Sequence, residues 1–537
     1  MHTLALVRHL YKGALTLGLI ILAVSCSRTT PRQDLKPSLR ISQRNEPADL
    51  DPGTSSLPDD FFIIRALSEG LVTISPQGAP HAAAAITWTH SKDEKIWTFH
   101  LRPNAKWSNG EPVTAFDFIE SYKRVLTPGS LALKAELLFP VKNARKFLNG
   151  ELTDFSALGF TALDPLTLVI TLENPTPEFL MYVCSGVWIP INPRTVKQWG
   201  KDWTKPEHFI GNGPYLLKQW MPNQKIVLQQ NPLYHDADKV LISTIEFIRF
   251  DDAESEERAY RSGGVDITMS VPVSKIPVYA KDRPTEIHRS ILAETRYITF
   301  NTKKYPLNDP RVRLALSLAL DRDKLVTDVL KGGQQPIETL IPHALWSAAQ
   351  SSSFALPART RREHNLIRAK QLMRDAGFPD GKNFPSIELS SWTNITLLEA
   401  IQDTFKKDLG IDITLNIQEA RVHLASLQNG NYTLGLINSI PDVADPLAIL
   451  ENFTTESPNN YPHFSDPLFD QAITRARTLT KNKRYDLLKD AETRLLELAP
   501  VAPLYLNSQN WLMPARIKGW AADPLWRRSY LNLEIKP

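Results

Sequence analysis

The chain has 537 residues, 42% hydrophobic and 22% charged, which is the balance of a soluble globular protein and too long for one ordinary core. Its 62 basic and 58 acidic residues leave a net charge of +4. They are spread along the chain, whereas a nucleic-acid binder would carry a basic excess on one element. Only Cys26 and Cys184 are present, so a disulfide framework and a cysteine-based metal cluster are both excluded.

At the N-terminus Arg8 and Lys12 precede residues 14–24, an apolar run whose one polar member is Thr16. A charged region followed by so short an apolar run is an export signal, not a membrane span. The run ends in Leu22-Ala23-Val24-Ser25-Cys26, which resembles a bacterial lipoprotein box. Cleavage before Cys26 would free its thiol for acylation, and acyl chains at about 0.8 kcal/mol per buried methylene hold a soluble domain at a membrane. The alternatives are an ordinary secretory peptide or an uncut anchor. We read residues 1–25 as a signal peptide and 26–36 as a lipid-anchored tether.

Residues 39–43 form a short strand, and 45–52 carry turn chemistry. A helical apolar face over 61–67 is closed by Gly70 in the manner of a C′ residue. A strand over 71–74 and a turn at 76–78 follow. Residues 97–101 alternate like a half-buried strand, and Trp107-Ser108-Asn109-Gly110 makes a tight turn. Thr114 then caps a helix over 115–126, with Asp117 in the capping-box position. Trp107 is expected to pack beneath its turn rather than stack on a ligand. Residues 166–172 alternate as a strand. The segment Gly211-Asn212-Gly213-Pro214-Tyr215 opens a strand whose hairpin partner is 225–229. Its glycine spacing is wrong for a dinucleotide site, and no helix follows. Residues 245–250, 254–261 and 265–268 read as strand, helix and strand. Cys184, inside an apolar run, reads as a buried inert thiol.

Residues 297–301 are β-branched, aromatic and apolar, as a short buried strand requires. Asp309 is a good N-cap and Pro310 suits the first helical position; Val312, Ala315, Leu316 and Ala319 then share one helical face. From 365 onward helices (365–376, 396–409, 421–428) alternate with strands (387–389, 411–417, 432–437). Such succession predicts a mainly parallel sheet with its ligand beyond the carboxyl ends of the strands. The end of the 432–437 strand leads into Asn438-Ser439-Ile440-Pro441-Asp442, where the Asp442 carboxylate is placed to meet an ammonium group. Asp445 is the better cap for the helix starting near Pro446. A last strand covers 502–507. No Gly-x-Ser-x-Gly, His-Glu-x-x-His, Ser-x-x-Lys or Walker loop occurs, and the 12 histidines are scattered singly.

Several of these stretches share their wording with one family. Leu50-Asp51-Pro52, Glu69-Gly70-Leu71, the run from Lys106-Trp107 through Thr114 to Asp117-Phe118, Tyr297-x-x-Phe300-Asn301 and Asp309-Pro310-Arg311-Val312-Arg313 resemble family 5 of the bacterial extracellular solute-binding proteins, the receptors of peptide importers. The resemblance covers roughly 36–537. It implies an α/β, two-lobed periplasmic-binding-protein fold of type II, in the large cluster C form, with a hinge between lobes and an extra subdomain in the first. The first lobe would span 37–296 with that subdomain at about 75–185, the second 297–503, and 504–537 would return to the first. The strand at 297–301 would cross between lobes and that at 502–507 recross, with Tyr297, Asn301 and Tyr505 at the hinge.

The resemblance further implies an extracytoplasmic receptor that hands oligopeptides or dipeptide-like solutes to the membrane subunits of an ABC importer. Asp442 would pair with the peptide's α-ammonium while Asn438, Ser439 and Ile440 hold its backbone, and Ser56 and Leu57 would contact it from the first lobe. No catalytic residue, cofactor, metal or nucleic acid is expected, and the receptor would be a monomer joined to the bilayer through acylated Cys26. Peptide receptors of known type often carry arginines where Leu427 and Leu436 stand, and tryptophan at the place of Ala420. Their absence implies a ligand that is shorter, modified, or clamped by basic residues elsewhere. The alternatives are the same fold serving a non-peptide solute, signalling or chaperoning, and a hydrolase.

Overall fold

In the first lobe, alternation puts Leu39 and Ile41, Ile226 and Leu228, and Ile245 and Phe247 on the buried face of one sheet. This computed structural model describes residues 37–55, 57–75, 78–346, 358–393, 395–479, 481–520 and 523–536. The expected signal segment, the tether with Cys26, and Ser56 lie outside the described residues. The sheet runs in the order Ser38–Gln43, Thr244–Arg249, Lys225–Gln230, Tyr215–Met221; its first pair is parallel and the rest antiparallel. The helix Pro58–Leu67 packs in the same core with Phe62, Ile63, Ile64 and Leu67. Trp511, Met513, Trp520, Tyr530 and Leu533 of the returning C-terminal segment complete it. Residues 265–268 contribute a single parallel bridge, Ile41 to Ile267, where a strand was expected.

That helix also ends differently from the expectation. Gly70 is not in the left-handed region, and the turn closes at Ser68, whose N–H donates to the Ile64 carbonyl at 2.8 Å. The Leu67 carbonyl instead receives the Gly213 N–H at 2.9 Å. A Cβ at Gly211 or Gly213 would lie 2.1 or 2.5 Å from Leu67 backbone atoms. The Gly211-Asn212-Gly213 segment is therefore a close-approach device between two elements.

The subdomain is an antiparallel sheet in the order Ala85–His90, Ile96–Leu101, Thr167–Thr171, Phe160–Asp164. It packs on the helix Ala115–Leu126 around Phe99, Trp107, Phe118, Tyr122, Phe179 and Trp188. Thr114 N–H donates to Asp117 at 2.8 Å, closing the expected box. Trp107 is 1% exposed and its indole donates to the same carboxylate at 3.3 Å, so it packs under the turn. Cys184 is buried, and burial pushes its thiol up to about 12.

The second lobe is built on a six-stranded sheet in the order Gln335–Pro336, Val501–Leu512, Ile287–Phe300, Leu434–Ser439, Ile387–Ser391, Ile413–Ile417. Only its last three strands pair with one another in parallel. The expectation of a mainly parallel sheet is corrected, because the long strands Ile287–Phe300 and Val501–Leu512 run antiparallel to their neighbours. Asp309 caps Pro310–Ala319 through the Arg311 N–H at 2.9 Å. Arg313 turns inward and donates to the carbonyls of Leu307 at 2.7 Å and Ala499 at 3.1 Å. Its side chain thus fixes the loop before this helix and the turn before the last strand.

The two long strands join the lobes. Pairing runs from Ile287 opposite Leu512 to Ile291 opposite Ser508, breaks, and resumes at Thr295 opposite Leu506. On the near side Leu512 exchanges hydrogen bonds with Thr268 of the first lobe, at 3.0 and 2.8 Å. On the far side Leu434–Ser439 adds itself to the ladder from Thr295 onward. The strand begins at Ile287, ten residues earlier than its apolar end suggests.

Candidate ligand cleft

The helix Pro58–Leu67 places Phe61 and Arg65 four residues apart, hence on one face. Both line a cavity of about 80 Å³ between the lobes. Gly186 lies behind Phe61, where a Cβ would come within 1.9 Å of the ring. Only glycine lets the ring occupy that position. Lys134, Leu137 and Pro52 extend the first-lobe wall. The Pro52 loop is held from beneath: Asp51 accepts from Gly53 N–H at 2.8 Å and is ion-paired with Arg124.

The opposite wall is the loop beyond the strand Leu434–Ser439, with Ile440, Pro441 and Asp442 facing the cavity. Lys134 Nζ crosses from the first lobe to Asp442 Oδ2 at 2.9 Å. Burial disfavours the Lys134 charge, but the neighbouring carboxylate outweighs it and the net direction of its pKa is up. The third side comes from the C-terminal return, with Leu525, Trp526 and Arg527.

A second bridge joins the lobes in full burial. Glu178 of the subdomain accepts from Arg484 at 3.0 Å and from the Tyr485 hydroxyl at 2.5 Å, and Arg484 also binds Asp445 at 2.5 Å. The three charged side chains are 7%, 4% and 0% exposed respectively. Burial would drive the Arg484 pKa down, yet the two carboxylates hold it above its ordinary value. Asp445 additionally accepts from Leu447 N–H at 2.9 Å, as a helix cap does.

The remaining expected residues are placed as follows. Asn438 donates to Glu294 at 3.1 Å, as does Asn507 at 3.1 Å, so the Glu294 carboxylate ties three strands together beside the hinge. Ser439 pairs with Thr295 in the ladder. Leu57 precedes the first helix and is 50% exposed. Tyr297 and Tyr505 are buried in the second-lobe half of the long strands. Asn301 donates to the carbonyls of Gly430 at 3.0 Å and Tyr432 at 3.1 Å. The register break, between Ile291 and Thr295, lies nearer the first lobe than any of these. The sequence reading missed Lys134, Arg65, Glu178, Arg484 and Arg527. The one available signal was the four-residue spacing of Phe61 and Arg65 on a helix.

Two lobes joined by a pair of antiparallel strands, with oppositely charged groups meeting across a cleft at the end of a parallel strand, define a clamshell solute receptor. The chain belongs to the family described as bacterial extracellular solute-binding proteins, family 5, whose middle-region model matches residues 79–461. It is 33% identical to the periplasmic murein peptide-binding protein MppA of Escherichia coli over 89% of each chain. It is 31% identical to the periplasmic oligopeptide-binding protein OppA of Salmonella typhimurium over 93% of each. The solved structure of the E. coli murein tripeptide binding protein MppA superposes with a TM-score of 0.80, covering 93% of this chain and 98% of that one at 32% identity. Haemophilus influenzae OppA in complex with the peptide RPPGFSPFR gives 0.78, covering 94% and 100% at 28% identity. Family and relatives are binding proteins. No described helix is long and apolar enough to cross a membrane. Among the described residues no group of three His, Cys, Asp or Glu is arranged to hold a metal.

Proposed function

We propose that the protein is an extracytoplasmic receptor that captures peptides between its lobes and passes them to an ABC importer. It would act as a lipid-anchored monomer held through Cys26. The relatives that bind murein peptide and oligopeptides support the ligand class. The observation that carries the site is Asp442, whose carboxylate already holds an ammonium group at 2.9 Å, that of Lys134. A peptide's α-ammonium has the same charge and hydrogen-bond donors and would replace it. Ser439 and Ile440 would offer backbone groups beside it, and Ser56 and Leu57 would meet the ligand from the first lobe. Ligand binding to both walls favours the closed arrangement because only that arrangement presents them together.

Calorimetry with tri-alanine and N-acetyl-tri-alanine tests the reading. Removing one partner of a desolvated charge pair costs about 2–5 kcal/mol. Asp442→Ala should therefore weaken the free-amine peptide at least tenfold, since about 1.4 kcal/mol is a factor of ten. The acetylated peptide should bind the wild type poorly and lose little more on mutation. Equal losses for both peptides would show that Asp442 only shapes its loop, and failure of both to bind the wild type would count against peptides as the ligand.

A further inference from the structure

Two guanidinium groups line this end of the cleft, Arg65 from the first-lobe helix and Arg527 from the C-terminal return, with Arg528 buried behind them. Arg527 is paired with Asp523, through two contacts of 3.0 Å. Among the described residues neither Arg65 nor Arg528 has a carboxylate within ion-pair distance. Arg528 is 5% exposed and lies among the rings of Phe62, Trp511 and Trp520, 5.4–6.0 Å from their centroids. Arg65 donates one bond, to the Cys184 carbonyl at 3.0 Å. Burial, and then the proximity of Arg527, lowers its pKa to about 10, so it stays charged at neutral pH. The cleft lining therefore keeps the Arg65 charge without a carboxylate partner among the described residues, and buried charge is costly without a counter-charge.

Donors are in excess too. Arg65 Nε and Trp526 Nε1 are buried N–H groups with no acceptor among the described residues, and both residues line the cavity. Trp526 also has φ of +64°. A bulky residue is strained there, and such strain persists where the surroundings fix a functional shape. An unmatched cation and unmatched N–H donors around one end of the cavity call for the same complement, an anionic group with several acceptor atoms. A carboxylate opposite guanidinium has that form.

We infer that Arg65, with Trp526 and Arg527 beside it, forms a subsite for a carboxylate of the ligand, opposite the ammonium site at Asp442. This rests on reading the cleft as the peptide site. The receptor would then select short peptides whose ammonium and carboxylate span the gap between the two walls. The carboxylate is either the peptide's C-terminus or an acidic side chain.

The test compares wild type and Arg65→Met by calorimetry with alanyl-glutamyl-alanine, its C-terminal amide, and its glutamine counterpart. Wild type should lose at least tenfold in affinity for one of the two neutralised peptides, and Arg65→Met should remove that difference. Loss with the amide assigns the C-terminus; loss with glutamine assigns the side chain. Equal binding of all three peptides by wild type overturns the subsite while leaving the peptide reading intact. If no peptide binds, N-acetylglutamate, which has carboxylates and no ammonium, replaces them. A rise in melting temperature with it that Arg65→Met lacks upholds the subsite, and no rise overturns it. The wild-type comparisons need no variant, and Arg527→Gln replaces Arg65→Met if that chain does not fold.

Discussion

Lys134 Nζ and Asp442 Oδ2 stand 2.9 Å apart across the cleft, although 308 residues separate them in the chain. Their side chains are 32% and 40% exposed, so the pair is partly hydrated and contributes at most about 1 kcal/mol. A ligand ammonium competes with Lys134 for the same carboxylate. Lys134→Met should then tighten a free-amine tripeptide by up to about fivefold, read by calorimetry at low salt. Weaker binding would mean that Lys134 itself contacts the ligand.

Glu178 and Arg484 form the buried counterpart of that pair. Opening the lobes separates them and leaves Arg484 with Asp445 alone. Glu178→Ala should enlarge the radius of gyration of the ligand-free protein in small-angle scattering. It should also lower the apparent affinity for tripeptides about tenfold, as a shift of about 1.4 kcal/mol in the closing equilibrium requires. An unchanged radius and an unchanged affinity would rule out Glu178 as a closing contact.

Stability should carry a signature of Glu492. Burial raises its carboxyl from 4.5 to about 7, against the opposing effect of the Ile341 and Leu340 N–H groups, which it accepts at 2.7 and 2.8 Å. The folded state then binds the proton more tightly than the unfolded state, so stability falls as pH rises between about 4.5 and 7. The full effect is on the order of 3 kcal/mol. Glu492→Gln should flatten this part of the profile, measured as the difference in melting temperature between variant and wild type at pH 5 and pH 8. A constant difference would show that Glu492 titrates normally.

Anchoring has its own test at Cys26. Cys26→Ala should move the protein from the membrane fraction to the soluble fraction. A variant still bound after carbonate washing would refute lipidation as the anchor.

Local grammar accounts for what the sequence revealed. Thr114 with Asp117, and Asp309 with Arg311, are contacts three residues apart or fewer, so their spacing alone specifies them. Asp442 was legible because it follows a buried strand of a parallel set. Residues 287–296 were not, since Arg289, Ser290, Glu294 and Arg296 mask a strand whose pairing is decided by Val501–Leu512, more than two hundred residues away. The same distance hid the partners of the cleft. Lys134 sits in an irregular segment without periodicity, and Arg65 reads as an ordinary position of a helix until the C-terminal return brings Arg527 beside it. Gly70 misled for a related reason: the helix end is met by Gly213, whose N–H reaches the Leu67 carbonyl across the fold, and not by a left-handed Gly70.

The break in the ladder between Ile291 and Thr295 has a mechanical consequence. Both chain passages between the lobes belong to one hydrogen-bonded ribbon, so they twist together and neither can slide past the other. The ladder is interrupted again between Arg296 and Tyr297, so a bend of the ribbon within these residues would swing the lobes about one angle. With such a bend, a separation measured between one point on each lobe would report the same variable. A membrane partner touching both lobes would need only that one distance to tell an occupied receptor from an empty one.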